Sequence, residues 1–156
     1  MQKKEIVDIL AEHSFFQDIS PDDLAFIAGC GKNVVFEEKE VIAKFGDPAD
    51  EFYLIRHGLA ALMIEIPSHM PFIYQTLGEN EILGLSWLIP PYQWTVTVQA
   101  VQPVRAIAID GACLREKCEK NPAFGFKLMK HLVQVLVTRE EGVRLHLLDI
   151  YGMKNR

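Results

Sequence analysis

The residues best suited to chemistry in this chain are its histidines, its cysteines and the serine of Gly84-Leu85-Ser86-Trp87. Their spacing works against each reading. His13, His57, His69, His131 and His146 form neither a His-x-His nor a His-Glu-x-x-His pair, and the last two stand fifteen residues apart, so no metal set is expected. Cys30, Cys113 and Cys118 are odd in number and lack Cys-x-x-Cys spacing. Cys113 and Cys118, five apart, fall nearer opposite faces of a helix than one, which reads as buried thiols. Such cysteine usage suits a reducing cytoplasm better than a disulfide framework. Ser86 sits near a glycine, but no Gly-x-Ser-x-Gly elbow, Walker loop or assignable base accompanies it. The chain therefore reads as non-catalytic, with no metal and no cofactor.

Binding is the better reading, and it centres on residues 77–100. This stretch holds Gly78, Gly84, Pro90-Pro91, Trp87, Tyr92 and Trp94 with few charges, between runs of strand character. Loops this rich in Gly, Pro and aromatics usually interrupt a β-scaffold at a binding site. The scaffold itself is legible by period. Residues 3–16 place Ile6, Ile9, Leu10, His13 and Phe16 at helical spacing, and Ser20-Pro21-Asp22-Asp23 is a capped helix start that Gly29 or Gly31 should end in the left-handed conformation. From Asn33 the period falls to two. Strands are predicted at 34–36, 40–45, 52–56, 59–66, 72–77, 95–100 and 104–109, separated by Gly, Pro and charged turns. Seven or eight short strands at near-regular spacing suggest a jelly-roll barrel.

Asp110 should cap a short helix that Asn121-Pro122 interrupts, followed by a long helix from about Ala123 to Leu148. Along it Met129, Val133, Leu136, Glu140, Val143, Leu147 and Ile150 repeat in steps of four and three, a heptad seam apolar except at Glu140. Leu128, Leu132 and Val135 form a second apolar set beside it. One face can pack on the barrel while the other meets a second copy of the chain, or both can be core.

Bulk properties bound the remainder. A chain of 156 residues, 49% apolar and 24% charged, is an ordinary globular domain. The fold class is mostly β with flanking helices, in one domain over 1–156: N-terminal helices at 1–31, barrel at 32–109, C-terminal helices at 110–151. A net charge of −5 argues against a nucleic-acid or anionic-membrane surface. No apolar run approaches a membrane span, and the N-terminus is not a signal peptide, so a cytoplasmic location is expected.

Phe45-Gly-Asp-Pro-Ala-Asp-Glu-Phe-Tyr-Leu-Ile-Arg-His-Gly58, Leu77-Gly-Glu-Asn-Glu-Ile-Leu-Gly84 and Leu147-Leu-Asp-Ile-Tyr-Gly152, in this order, resemble the cyclic-nucleotide-binding domain of the catabolite-activator type. The resemblance implies a jelly roll broken by a phosphate-binding loop, then a long helix that makes a dimer. It also implies a cassette in which a Glu after Gly holds the ribose hydroxyl and an Arg before a hydroxyl residue holds the cyclic phosphate, with helix N-terminal amides sharing the anion. Placing Gly84 on that Gly puts Leu85 at the Glu position, Trp94 at the Arg position and Thr95 at the hydroxyl position. Both charged anchors are missing. No Lys or Arg lies between Arg56 and Arg105, so no replacement cation is evident.

What stands there instead implies a different ligand. Gly84, Leu85, Ser86, Trp87, Tyr92, Trp94 and Thr95 are expected to shape an apolar, aromatic pocket for an uncharged or apolar molecule, with Thr138 near where family members contact the base. The chain stops at Arg156 without the winged helix-turn-helix of the family's transcription factors, as a stand-alone sensor or a truncated one, so direct nucleic-acid binding is not expected. The expected function is a regulatory, ligand-sensing homodimer with an unknown small molecule or protein partner. Two alternatives stay open: a cupin-like metal enzyme, and a structural or partner-binding dimer whose pocket is filled by side chains.

Overall fold

The computed structural model describes residues 5–152. Helix α1 (Ile6–Glu12) buries Ile9 and Leu10 and stops short of the predicted span. A 3₁₀ turn at Ser14–Phe16 takes over, capped by His13 Nδ1, which accepts from the Phe15 amide at 3.0 Å. Helix α2 (Pro21–Gly29) starts on the expected cap, with Ser20 Oγ accepting from the Asp23 amide at 3.2 Å. Neither glycine ends it in the left-handed region. Cys30 closes the helix at φ −90°, and Gly31 opens the first strand where a Cβ would come 3.3 Å from Ile107 Cγ2.

Among the described residues eight strands follow: β1 (Gly31–Phe36), β2 (Val41–Ala43), β3 (Glu51–His57), β4 (Ala60–Ile64), β5 (Phe72–Leu77), β6 (Ile82–Leu83), β7 (Thr97–Ala100) and β8 (Val104–Asp110). They make two antiparallel four-stranded sheets, ordered β1-β8-β3-β6 and β2-β7-β4-β5. The order is jelly-roll-like, but the sheets are not hydrogen-bonded into a closed barrel. Strand β6, a two-residue segment within the central stretch, is the strand the period did not reveal.

Side-chain alternation divides the interior in two. Phe52 and Leu54 of β3, with Ile107 and Ile109 of β8, face the helices. Ile55, Val104 and Ala106 face the other way and meet Ala60, Leu62, Leu77, Val98 and Ala100 of the second sheet. Strands β3 and β8 of the first sheet are thus buried on both sides, while β1 stays largely exposed, and the second sheet closes a second core.

Asp110 and Asn121 cap α3 (Gly111–Lys120) and α4 (Pro122–Ile150) by accepting from the amides of Cys113 and Phe124. Helix α4 sends Phe124, Leu128 and Leu132 into the helical core beside Leu10, Phe15 and Phe16. Its other face stays open. Met129, Val133, Leu136, Leu147 and Ile150 of the predicted seam are each 41–51% exposed.

The cysteines correct the sequence reading. Cys30 and Cys113 form a disulfide, with S–S 2.03 Å and Cα–Cα 6.3 Å, leaving Cys118 as the free thiol. The pairing of Gly31 with Ile109 brings the end of α2 to the start of α3, although 83 residues separate the two cysteines. Burial raises the pKa of the Cys118 thiol, so it stays protonated at neutral pH. Among the described residues, no helix is long and apolar enough to cross a membrane.

Candidate ligand cavity

The cavity is built where the chain crosses from β5 to β6 and returns from β6 to β7. Strand β5 ends in a turn at Gly78–Glu81, where Glu81 Oε2 accepts from the Gly78 amide at 2.6 Å and Asn80 takes φ +67°. Asn80 N then donates to Ile55 O at 2.8 Å, delivering Ile82 and Leu83 to the edge of β3. At Gly84 the backbone takes φ +100°, and a Cβ would lie 2.8 Å from Trp94 Cη2. Glycine is required there on both counts.

Trp94 points inward. Its amide donates to Asp47 O, and its carbonyl accepts from the Gly46 amide, both at 2.8 Å, so the Gly46-Asp47-Pro48 turn clamps it from two sides. The indole is 7% exposed and stacks toward Tyr53, with ring centroids 6.4 Å apart. Beside it remains a cavity of about 410 Å³. The loop contributes Gly84, Leu85, Ser86, Trp94 and Thr95; the strands contribute Leu62, Tyr74 and Leu83; and α4 contributes Leu136 and Arg139.

The remaining predicted residues lie elsewhere. Trp87 is 0% exposed in the helix-side core, stacked on Phe52 at 4.8 Å. A Cβ on Gly111 would come 2.9 Å from Trp87 Cβ, so that neighbour has room only for glycine. Tyr92 sits under the Arg115 guanidinium, 4.1 Å from its ring centroid, away from the cavity. The loop threads from one core to the other, and its aromatics divide accordingly. Thr138 lines a neighbouring, more polar cavity of about 320 Å³ with His13, Gln75 and His131.

Two features bear on anions. Residues 84–96 form turns and one bridge, Pro48 to Gln93, and no helix, so no helix N-terminus is present to share a phosphate charge. A cation does reach the site, however, contrary to the expectation drawn from residues 57–104. Arg139 of α4 lies between the two cavities and lines both, one guanidinium nitrogen donating to Ile82 O. Burial works against its charge, and the Glu81 carboxylate and Tyr74 phenol offset part of that. Gln75 Nε2 donates to Arg139 O at 3.3 Å, tying β5 to the helix. The one available sequence signal was that Arg139 follows Thr138.

Among the described residues, no group of three or more His, Cys, Asp or Glu could hold a metal ion.

These features coincide with a family. The cyclic nucleotide-binding domain model matches residues 33–121, more than half of the chain, and the chain belongs to that family. A structure from Geobacter metallireducens GS-15, described as a cyclic nucleotide-binding protein, is 28% identical with a TM-score of 0.77, over 88% of this chain and 98% of that one. A cyclic nucleotide-binding domain from Methylobacillus flagellatus KT is 21% identical, TM-score 0.76, over 93% and 82%. The sensor domain of the transcriptional regulator DNR from Pseudomonas aeruginosa is 19% identical, TM-score 0.71, over 86% and 90%. The last two show likeness of fold alone. No curated protein matches.

Proposed function

We propose that this chain is a non-catalytic regulatory domain whose cavity takes a predominantly apolar, planar ligand rather than a cyclic nucleotide held in the family's usual way; the Cys30–Cys113 disulfide removes the cysteine-based support for a reducing cytoplasm. The observation that carries this is Trp94. It stands where the family's phosphate-binding Arg would be expected, and its ring occupies the interior against Gly84, while Leu85 replaces the Glu. Each missing contact to a charged group is worth roughly 1.5–3 kcal/mol. At about 1.4 kcal/mol per tenfold, their joint loss weakens nucleotide binding by about a hundredfold or more.

The signal would travel through α4, which lines the cavity with Leu136 and Arg139 and carries the exposed seam. Ligand that favours one packing of the helix shifts its population. The seam would join two copies of the chain, since each buried Leu or Val contributes roughly 1.5–3 kcal/mol. The net charge of −5 supports a role without direct nucleic-acid contact by this domain. A filled-pocket structural dimer is the second reading, favoured by the inward Trp94 ring; the 410 Å³ beside that ring counts against it. A cupin-like enzyme would need a metal-ligand set that the described residues do not assemble.

Thermal denaturation with millimolar cAMP or cGMP tests the proposal. A micromolar ligand would add about 4 kcal/mol at a thousandfold excess over Kd and raise Tm by several degrees. The expected shift is none, and a rise of that size overturns the reading.

A further inference from the structure

We infer that the cavity beside Trp94 takes a small planar carboxylate, held at its charged end by Arg139 and the phenol of Tyr74. This rests on the proposed function, and adds a charge to the ligand proposed there. Leu62, Leu83 and Leu136 form apolar walls and the Trp94 indole a flat one, in a volume suited to one or two fused rings. Two lining residues differ in character, Arg139 and Tyr74. Arg139 is the one cation among the lining residues, and no Asp or Glu lines the cavity itself. Its carboxylate neighbour, Glu81, borders the other cavity instead.

The guanidinium has five N–H donors in a planar fork, and the hydrogen bond to Ile82 O uses one end. The free donors match a carboxylate, whose two oxygens accept from one fork. Tyr74, lining the same cavity, stays protonated at neutral pH because burial raises its pKa, so it can donate as well. A nucleotide phosphate fits less well: its family site draws on an Arg in the loop and on helix amides, and residues 84–96 supply neither.

Calorimetric titration with 2-naphthoate and its uncharged counterpart 2-naphthamide separates shape from charge. Wild type should bind the acid at least about tenfold more tightly than the amide, the factor that one charged hydrogen bond supplies. Arg139→Gln should reduce the acid to the level of the amide while amide affinity holds, which also shows that the cavity is intact. Arg139→Lys should fall between, and Tyr74→Phe should weaken the acid alone; these decide the matter if Arg139→Gln does not fold. Equal affinity for acid and amide in wild type, an acid preference that survives removal of both Arg139 and the Tyr74 hydroxyl, or binding of neither probe would overturn the inference. Micromolar binding of cAMP or cGMP would instead overturn the proposed function beneath it, so the two failures are distinguishable.

Discussion

Gly84 and Trp94 meet where the loop enters the space between the sheets, and the smallest change there is informative. Gly84→Ala forces a Cβ to within 2.8 Å of the Trp94 ring at a backbone φ of +100° that L residues rarely adopt. Overpacking and strain together should lower stability by about 1–3 kcal/mol, read from the urea midpoint. An unchanged midpoint would mean that Trp94 does not press on that turn. His13 offers a pH-dependent test. Its Nδ1 accepts from the Phe15 amide, so the ring proton sits on Nε2 and is donated to Asn80 O at 2.6 Å. Burial lowers its pKa below the ordinary 6.5, with the Asn80 carbonyl offsetting part. The unfolded chain therefore binds more protons, and the stability from a neutral His13 is complete above about pH 6.5 and lost as pH falls toward the folded value. Denaturation at pH 7.5 and 5.5 should show that loss in wild type and a smaller one in His13→Asn. Equal losses would place the effect on another group. At this scale Leu85 and Trp94, which line the cavity, are named from the sequence alone. Arg139 is not, because a residue 45 positions beyond Trp94 reaches the cavity only through tertiary packing.

The elements follow local rules wherever local rules suffice. Ser20 and Asp110 cap the helices that their types predict, Asn121, read only as an interruption, caps α4, and the change to period two near Asn33 marks the strands. Strand β6 escaped because two residues carry no period, and its pairing depends on the Gly78–Glu81 turn rather than on composition. The disulfide escaped for a related reason: β1–β8 pairing, not spacing, brings Cys30 to Cys113. It joins the N-terminal helices to the C-terminal pair across 83 residues; chain entropy alone gives about 4.5 kcal/mol for a loop of that size, and disulfides typically deliver about 2–4 kcal/mol. Reduction with dithiothreitol should lower the denaturation midpoint accordingly, while a Cys30→Ala/Cys113→Ala variant should show the lower midpoint and no response to reductant. If the variant matched oxidised wild type, the bridge would be energetically idle.

For the molecule as a whole, α4 is the proposed link between cavity and seam, since it lines the one and carries the other. One face holds the helical core through Leu128 and Leu132, while Leu136 and Arg139 reach the cavity. Met129, Val133, Leu147 and Ile150 stay half-exposed, an apolar stripe that a second copy would cover. Val133→Glu with Leu147→Glu, which spares the cavity, should give monomers by sedimentation velocity where wild type gives dimers. A wild-type monomer, or a variant that stays dimeric, would contradict that use of the seam. The proposed function turns on Leu85 and Trp94, read as standing at the two charged-anchor positions of the family's nucleotide site. Isothermal titration of cAMP and cGMP into the intact chain measures this most directly. The account predicts no saturable binding in the micromolar range for either nucleotide; a micromolar Kd for either would contradict it.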